Sequence, residues 1–358
     1  MKSLVARITI PWERGEKRQI AVNLKPGITA LTGPSGGGKS SFARCLLGLE
    51  APLSGRISLN NSTLYDADQR INIPVKRRKF AAVTQRPALF PGMSVRQNIA
   101  FGATMRQPGL GDLIRALELG PILESKARHL SGGQAARTAI ARSLASLPDF
   151  LVLDEPTAGL DRRRRVRLIH LLRSVLADWK IPVLYITHHT DEILSLAEQV
   201  MLMDDGKLIS SAPPEEFFRQ QESYDHLGTD DAGVVITGHV AAKSDNLLEV
   251  KAAEGVRLLI SDHGETTGSR LALRILEADV ALAKQRVNDI SVLNQLPGRV
   301  SEIRNMRGDV SVEIALGSAP DSPRLRARVT KTSARALGLV IGTRVWALIK
   351  AVAIRTYD

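Results

Sequence analysis

The sequence contains very little cysteine and no long apolar run. Its single cysteine, Cys45, among 358 residues excludes an internal disulfide and a zinc site built on cysteine ligands, as is typical of a reducing compartment. No segment reaches the roughly 18–20 consecutive apolar residues that span a bilayer, and the N-terminus lacks the residue order of a secretory signal. We therefore expect a chain that neither crosses a membrane nor is exported.

Aromatic and acidic residues are also few. Aromatic side chains make up 4% of the chain, and 37 Asp and Glu stand against 49 Lys and Arg, which leaves a net charge of +12. The positive charge favours anionic partners, which include nucleotides, nucleic acid and an anionic membrane surface. The low aromatic content leaves few platforms on which single-stranded bases could stack.

The length and the hydrophobic pattern predict two domains. Up to about residue 225, short apolar runs alternate with longer helical patterns, which indicates an α/β domain with a largely parallel sheet. The strand candidates are residues 28–31, 150–153 and 183–187. Beyond Pro213 and Pro214 the pattern changes to short β-type segments separated by glycines. We therefore expect an α/β domain over residues 1–228 and a β-rich domain over residues 229–358.

The second domain repeats itself in sequence. Residues 268–271 match residues 342–345, and residues 238–241 resemble residues 298–301, in the same order in both copies. Two similar small β-barrels are the expected result. Within the second copy, apolar residues at every second position of 309–316 predict a strand with one buried face.

A phosphate-binding loop follows the first strand candidate. Residues 33–40 satisfy the pattern of a glycine, four residues, then glycine, lysine and serine. A helical pattern over residues 41–49 follows, so that loop N–H groups and a helix N-terminus would face phosphate oxygens. Lys39 would reach the β and γ phosphates and the Ser40 hydroxyl would bind Mg²⁺. The predicted phosphate contacts are Gly33, Pro34, Ser35, Gly36, Gly37, Gly38, Lys39, Ser40 and Ser41.

Two carboxylates end the apolar run over residues 150–153. Ligands of open α/β sheets bind at the carboxyl ends of the strands, so Asp154 is predicted to bind the magnesium ion. Glu155, one residue further on, would act as the base or polarising group for an attacking water.

A second predicted anion site lies between these two motifs. Ser131 and Gln134 form the pattern of a capping box, which predicts a helix that starts there and continues over residues 135–147. At this point the sequence resembles the ATP-binding cassette family, whose signature is Leu-Ser-Gly-Gly-Gln, here residues 130–134. The resemblance implies nucleotide contacts from Ser131, Gly132, Gly133 and Gln134.

Other motifs of the family follow in the expected order. Gln85 matches the glutamine loop, which in the family touches magnesium and the attacking water, and His188 matches the histidine switch at the γ phosphate. Asp161 matches the aspartate loop, although the preceding Ala158 and Gly159 differ from the usual Ser and Ala. Trp12 is the candidate for the aromatic residue that stacks on adenine.

The resemblance implies a complete fold and mechanism. The fold class is α/β, a P-loop NTPase cassette with a mixed, mostly parallel sheet and a helical signature subdomain, followed by an all-β C-terminal domain of OB-like barrels. In the family, the signature of one cassette faces the phosphate loop of another. This implies a homodimer that closes on two ATP molecules and reopens after Mg²⁺-dependent hydrolysis. A lone cassette with a β-rich extension resembles the ATPase subunit of an importer at the cytoplasmic face of the inner membrane, with two permease subunits and a separate solute-binding protein.

The C-terminal sequence over residues 290–355 resembles the oxyanion-binding (TOBE/Mop-like) domain of molybdate-responsive proteins and molybdate importer ATPases. This resemblance implies uptake of molybdate or tungstate. Ser291, Thr330, Ser333 and Lys350 match the binding motif and supply hydroxyl groups and a cation for an oxyanion. A barrel that serves only docking or dimer contacts is the alternative for this domain.

Two other functions remain open from the sequence. The same ATPase could serve sulfate, thiosulfate, phosphonate, iron or a sugar, and the C-terminal sequence favours molybdate or tungstate over these. A soluble cassette ATPase that acts on nucleic acid would fit the charge and the barrels. The single cassette, the low aromatic content and the lack of a coiled-coil insertion favour the importer, with no nucleic-acid partner.

Overall fold

The computed structural model describes residues 2–102, 109–177, 179–218, 232–306, 308–317, 319 and 322–357. Contacts between residues divide the chain into two compact units, Met1–Pro214 and Glu215–Asp358. The domain boundary predicted between residues 228 and 229 lies outside the described residues. In the described ranges, no helix is both long and apolar enough to cross a membrane.

The first unit contains two sheets. The antiparallel sheet has the order β2-β1-β4-β5-β6 and consists of β1 (Leu4–Pro11), β2 (Lys17–Leu24), β4 (Ser54–Leu59), β5 (Ser62–Asp66) and β6 (Ile71–Asn72). The central sheet has the order β11-β10-β3-β9-β8-β7 and consists of β3 (Gly27–Thr32), β7 (Phe80–Val83), β8 (Phe150–Asp154), β9 (Pro182–Ile186), β10 (Gln199–Asp204) and β11 (Lys207–Ala212). All neighbours in the central sheet are parallel except β10 and β11.

Helices cover the central sheet. They are α1 (Lys39–Leu47), α2 (Val95–Gly102), α3 (Leu110–Ala116), α4 (Gly132–Ala145), α5 (Arg162–Leu176) and α6 (Thr190–Leu196), and α7 (Pro214–Phe217) follows at the boundary between the units. Alternate residues of β8 enter two different hydrophobic cores: Leu151 and Leu153 in one, Phe150 and Val152 in the other. A strand buried on both faces is expected to be apolar throughout, which is why the run over residues 150–153 predicted it correctly.

Of the two predicted helices of the first unit, one begins earlier than expected and the other begins where its predicted cap places it. The helix predicted over 41–49 is α1, which starts at Lys39 directly after the phosphate loop. The helix predicted over 135–147 is α4, which starts at Gly132 because Ser131 caps it. Leu147 has a φ of 50°, a left-handed conformation that does not continue a helix.

The second unit contains two five-stranded antiparallel sheets. The first has the order β14-β13-β12-β15-β21 and the second β16-β20-β17-β18-β19. Their elements are β12 (Gly233–Ser244), β13 (Leu247–Ala252), β14 (Arg257–Ser261), β15 (Arg270–Leu276), β16 (Val280–Ala283), β17 (Asn294–Asn305), β18 (Asp309–Ala315), β19 (Arg324–Thr330), α8 (Lys331–Ala336), β20 (Arg344–Ile349) and β21 (Arg355–Tyr357). The edge strands β16 and β19 approach each other, so the second sheet curls into a barrel.

The predicted repeat is confirmed in the strand register. Gly238 pairs with Leu271 in the first sheet, and Gly298 pairs with Val345 at the equivalent place in the second. Both long strands also carry an irregularity shortly after this pair.

The two sheets exchange strands. β16 follows β15 in the chain but pairs with β20 of the second sheet, and β21 follows β20 but pairs with β15 of the first sheet. Residues of both sheets belong to one hydrophobic core.

The prediction that β18 has only one buried face is wrong. Residues 310–314 are all buried, including Ser311 and Glu313. Their polar groups are satisfied inside the unit, since Ser311 donates to Glu277 at 2.9 Å and Arg324 donates to Glu313 at 2.7 Å. Paired polar side chains can thus occupy positions that the alternating pattern assigns to solvent.

Candidate functional site

The phosphate-binding loop joins β3 to α1 and is shaped by its glycines. Gly33 and Gly38 have φ angles of 138° and 97°, in the region that favours glycine. A Cβ atom on Gly33 would lie 1.9 Å from the carbonyl oxygen of Met203, so a larger residue does not fit. The first turn of α1 contains no acidic side chain, so its N–H groups and the positive end of its dipole favour an anion. The loop has the shape and polarity of a phosphate cradle.

Lys39 lies folded into this loop. Its ammonium group donates to the carbonyl oxygens of Gly33 at 2.8 Å and of Pro34 at 2.7 Å. Burial lowers the pKa of Lys39, and the carboxylates of Glu155 and Asp154 oppose that shift. The lysine therefore shares its electrostatic environment with the two carboxylates at the end of β8.

Glu155 stands at the centre of the predicted catalytic residues. Its φ is 46°, and its N–H donates to the carbonyl oxygen of Ile186 at 3.0 Å. One carboxylate oxygen lies 3.1 Å from Nδ1 of His188, and the other accepts a hydrogen bond from Nε2 of Gln85 at 3.0 Å. The fold thus brings together Gln85, Glu155 and His188, which we call the acid–base cluster, although they are far apart in the sequence. A strained backbone at such a residue is common in functional sites.

The predicted magnesium ligands are hard oxygen donors. They are the Ser40 hydroxyl, the Gln85 amide and the Asp154 carboxylate at the end of β8, a set that suits Mg²⁺ when phosphate oxygens and water complete the shell. Burial, and next the charge of Glu155, raise the pKa of Asp154, while Lys39 lowers it. A cation beside Asp154 would oppose that shift. In the ranges that the structure describes, no three His, Cys, Asp or Glu side chains cluster as a metal site.

The ring of Trp12 lies against the phosphate-binding loop. A Cβ atom on Gly38 would come within 2.8 Å of it, and Trp12 lines one cleft with residues 36–41 of the loop. The indole Nε1 donates to Asp205 at 2.8 Å, and the Arg18 guanidinium lies 5.9 Å from the ring centroid. The hydrogen bonds from Trp12 and Arg18 lower the pKa of Asp205. These contacts fix the predicted adenine platform beside the loop.

The signature residues form a second cleft. The predicted capping box is confirmed: Ser131 Oγ accepts from the N–H of Gln134 at 3.4 Å, and the Gln134 side chain accepts from the N–H of Ser131 at 2.9 Å. Ser131, Gly133 and Gln134 line this cleft, and Gly132 is the first residue of α4. Asp161 caps the neighbouring α5 and accepts from the N–H of Arg164 at 3.0 Å. The lining residues of this cleft include none of those that line the cleft of the phosphate-binding loop.

The four predicted oxyanion residues are all exposed. Thr330 caps α8, and its hydroxyl lies 2.9 Å from that of Ser333. Both residues line a groove that also includes Val280 of β16. Val280 pairs with Ile349, the residue directly before Lys350. Neither Ser291 nor Lys350 is one of the residues that line this groove. The assignment of these four residues to an oxyanion remains a prediction.

Sequence reasoning missed two residues that make contacts in or beside the predicted site. Asp205 lies in an Asp-Gly turn between β10 and β11, a pattern that predicts a hairpin but not a contact with Trp12, 193 residues away. Glu192 is 0% exposed and lies on α6. Its position in the sequence, four residues after His188, gave no signal of burial.

Comparisons with known proteins agree with this arrangement. A family model for the ABC transporter matches residues 18–158, and one for the TOBE domain matches residues 290–355. The molybdenum import ATP-binding protein ModC of Methylococcus capsulatus is 35% identical over 99% of each chain. The ModC protein of Thiobacillus denitrificans is 37% identical over 92% of this chain and 91% of its own.

Solved structures match part of this chain. The structure of cbiO1 from Clostridium perfringens, described as part of the ABC transporter complex cbiONQ, has a TM-score of 0.54 and 29% identity. It covers 62% of this chain and 92% of its own. A bacterial Atm1-family ABC exporter, at a TM-score of 0.53 and 22% identity over 63% of this chain and 42% of its own, shares the fold alone.

The predicted fold class, a cassette followed by a β-rich TOBE-type domain, is confirmed by the sheets and by both family models. The match to the ModC relative extends over almost the whole length of both proteins, so it includes the cassette and the C-terminal barrels together. The chain therefore belongs to the family of molybdenum import ATP-binding proteins, a branch of the ABC transporter ATPases.

Proposed function

We propose that this chain hydrolyses ATP and thereby powers the uptake of molybdate through separate permease subunits. The observation that carries the hydrolytic function is the acid–base cluster, in which Glu155 lies within hydrogen-bonding distance of both Gln85 and His188. The relatives named for molybdenum import, which match over almost the whole chain, support the choice of solute.

The side chains divide the work of hydrolysis among them. The N–H groups of the phosphate-binding loop and the Lys39 ammonium hold the phosphates, because they supply positive charge where oxygens would lie. Ser40, Asp154 and Gln85 hold Mg²⁺, which when bound neutralises phosphate charge. Glu155 accepts a proton from the attacking water, and its contacts with Gln85 and His188 fix the direction of its carboxylate.

The separation of the two clefts supports a homodimer. The signature residues line one cleft and the phosphate-binding loop lines another, so one chain does not enclose a nucleotide between them. Two copies related by a twofold axis place the signature of each copy against the loop of the other. ATP then favours the closed dimer because it contacts both copies, and hydrolysis removes that preference.

The loop before α2 is the proposed docking site for the permease subunits. Asn98 is 0% exposed, and its amide binds this loop by accepting from the N–H of Phe90 at 2.9 Å and donating to the carbonyl of Ser94 at 3.0 Å. Phe101 is 67% exposed and lies 4.5 Å from Phe90, ring centroid to ring centroid. An exposed aromatic ring of α2 that packs on a half-buried aromatic residue of an anchored loop fits an apolar helix of a membrane protein. Docking there places the chain at the cytoplasmic face of the inner membrane, and a separate binding protein selects the solute.

The C-terminal unit is proposed to bind an oxyanion such as molybdate or tungstate. The adjacent hydroxyl groups of Thr330 and Ser333, with Lys350 next to the paired strand, supply donors and a positive charge. Ser291 completes the proposed set. Loss of molybdate binding in a Lys350→Ala variant, measured by equilibrium dialysis, is the expected result. Unchanged binding in that variant would refute the role of Lys350, and absence of molybdate binding by the wild-type chain would argue for a barrel that serves only protein contacts.

Cellular molybdenum content tests the transport function. Cells that lack this chain are grown at limiting molybdate and complemented with wild type, with Glu155→Gln or with the exposed control Glu50→Gln. Wild type and Glu50→Gln should restore molybdenum, measured by mass spectrometry, and Glu155→Gln should not. If molybdenum content does not depend on the chain and redundant uptake is excluded, the solute is another one, and tungstate, sulfate, iron and sugar uptake are measured next.

A further inference from the structure

A buried carboxylate, Glu192, lies next to the acid–base cluster. It is 0% exposed and accepts hydrogen bonds from three hydroxyl groups on three different residues. These are Thr157 Oγ1 at 2.5 Å, Thr187 Oγ1 at 2.6 Å and the Tyr185 hydroxyl at 2.9 Å. None of the roles described so far uses this carboxylate.

The three donors belong to the segments that carry the acid–base cluster. Thr157 lies two residues after Glu155, and Thr187 lies immediately before His188. One buried carboxylate therefore ties the turn that carries the proposed base to the strand end that carries the histidine. The distance between Glu155 and His188, 3.1 Å, depends on how these two segments lie against each other.

A further contact extends this arrangement to α5. The Nε atom of Arg165 lies 3.9 Å from the Glu192 carboxylate. Arg165 is in the first turn of α5, the helix that Asp161 caps. Glu192 thus touches three segments that each carry a predicted site residue.

The chemistry of Glu192 suits a positioning role better than a packing role. Burying a carboxylate is costly unless hydrogen bonds satisfy it. Once satisfied, its bonds to hydroxyl groups are short and directional, and they fix neighbouring groups more closely than apolar contacts do. An apolar side chain would fill the same space without defining where the two threonines lie.

We propose that Glu192 is a positioning residue for ATP hydrolysis, which holds the Glu155 turn and the His188 strand end in register through Thr157 and Thr187. The proposal rests on the hydrolytic function proposed above. The proposed role requires no contact between Glu192 and the nucleotide. Its loss should therefore slow the hydrolytic step and leave nucleotide binding nearly unchanged.

Steady-state hydrolysis of Mg·ATP by the full chain tests the proposal with Glu192→Gln. The amide keeps the size of the side chain but replaces one acceptor oxygen with a donor, so it cannot accept all three hydroxyl bonds. We expect kcat to fall roughly 10- to 100-fold, the effect of a small misplacement of catalytic groups, while KM for ATP changes less than about 2-fold. A role in folding alone predicts a lower melting temperature with kcat per folded molecule unchanged.

Glu277→Gln is the matched control. Glu277 is also a 0% exposed glutamate that accepts a hydroxyl hydrogen bond, from Ser311 at 2.9 Å, but it lies in the second unit. Its replacement should lower the melting temperature while kcat and KM stay at the wild-type values. An equal fall in kcat for both variants would assign the effect to general destabilisation and overturn the proposal.

Thr187→Val is the second variant, and it tests the proposal even if Glu192→Gln does not fold. It removes one donor to the carboxylate with almost no change in volume and should also lower kcat with KM retained. In a His188→Ala background, Glu192→Gln should add little further loss, because the contact that it positions is absent. Full kcat in Thr187→Val, or fully multiplicative losses with His188→Ala, would refute the positioning role. Absence of hydrolysis by the wild-type chain and its dimer would instead refute the proposed ATPase function.

Discussion

Replacing Glu155 with glutamine tests the acid–base cluster with the least change in shape. Glutamine has nearly the same volume and keeps one acceptor oxygen. That oxygen can still accept from Gln85, 3.0 Å away, while the new amide group can donate to Nδ1 of His188, 3.1 Å away. The contacts that orient the side chain can therefore survive, and only the ability to accept a proton is removed.

The expected loss of rate follows from that difference. A positioned general base contributes about 10²–10⁴-fold to a rate, which corresponds to roughly 3–5 kcal/mol of activation free energy at 25 °C. We expect kcat of Glu155→Gln to fall by this factor. Affinity for ATP should stay within a few-fold, since Lys39 and the phosphate-binding loop are unchanged.

Two measurements on the same preparation check this expectation. Phosphate release gives kcat, and size-exclusion chromatography with Mg·ATP gives the fraction of dimer. The variant should accumulate as a nucleotide-bound dimer that persists because hydrolysis no longer reopens it. The control Glu50→Gln, which changes an exposed glutamate paired with Arg44, should behave as wild type. Undiminished turnover in Glu155→Gln would refute its role as the base. A slow variant that binds ATP but stays monomeric would refute the coupling of hydrolysis to dimer opening.

Four further predictions concern other residues of the first unit. Lys39→Ala should weaken ATP binding by at least 10-fold, and unchanged affinity in a fluorescent-nucleotide titration would contradict the phosphate-loop assignment. Asp205→Ala removes the hydrogen bond that holds Trp12, so KM for ATP should rise several-fold with kcat unchanged; the same KM in wild type and variant would argue against the adenine platform. Asn98→Ala leaves backbone groups of the loop before α2 without their partner, which costs about 1–3 kcal/mol for such buried groups; molybdenum uptake should fall more than the ATPase rate of the isolated chain. Burial raises the pKa of Cys45 to about 11, so a thiol reagent at pH 8 should modify the protein only after unfolding, and rapid labelling of the folded chain would contradict this.

The sequence predicted those features whose cause is local. The apolar run over residues 150–153 predicted β8, and Ser131 with Gln134 predicted the start of α4. Both predictions were possible because hydrophobic pattern and capping act over a few residues. The positions of Glu192 and Asp205 depend instead on contacts over 35 and 193 residues of chain, which no local pattern contains. The burial of Glu313 in β18 could not be predicted locally either, because the arginines that pair with its carboxylate lie on the next strand.

The exchange of β16 and β21 between the two sheets has a consequence for synthesis on the ribosome. The strand that completes the first sheet, Arg355–Tyr357, leaves the ribosome after every other strand of the second unit. Until then, residues 272–274 of β15 have no partner on that edge, and an unpaired edge can pair with another nascent chain. The first sheet is therefore begun first but completed last, after the strands of the second sheet have been synthesised.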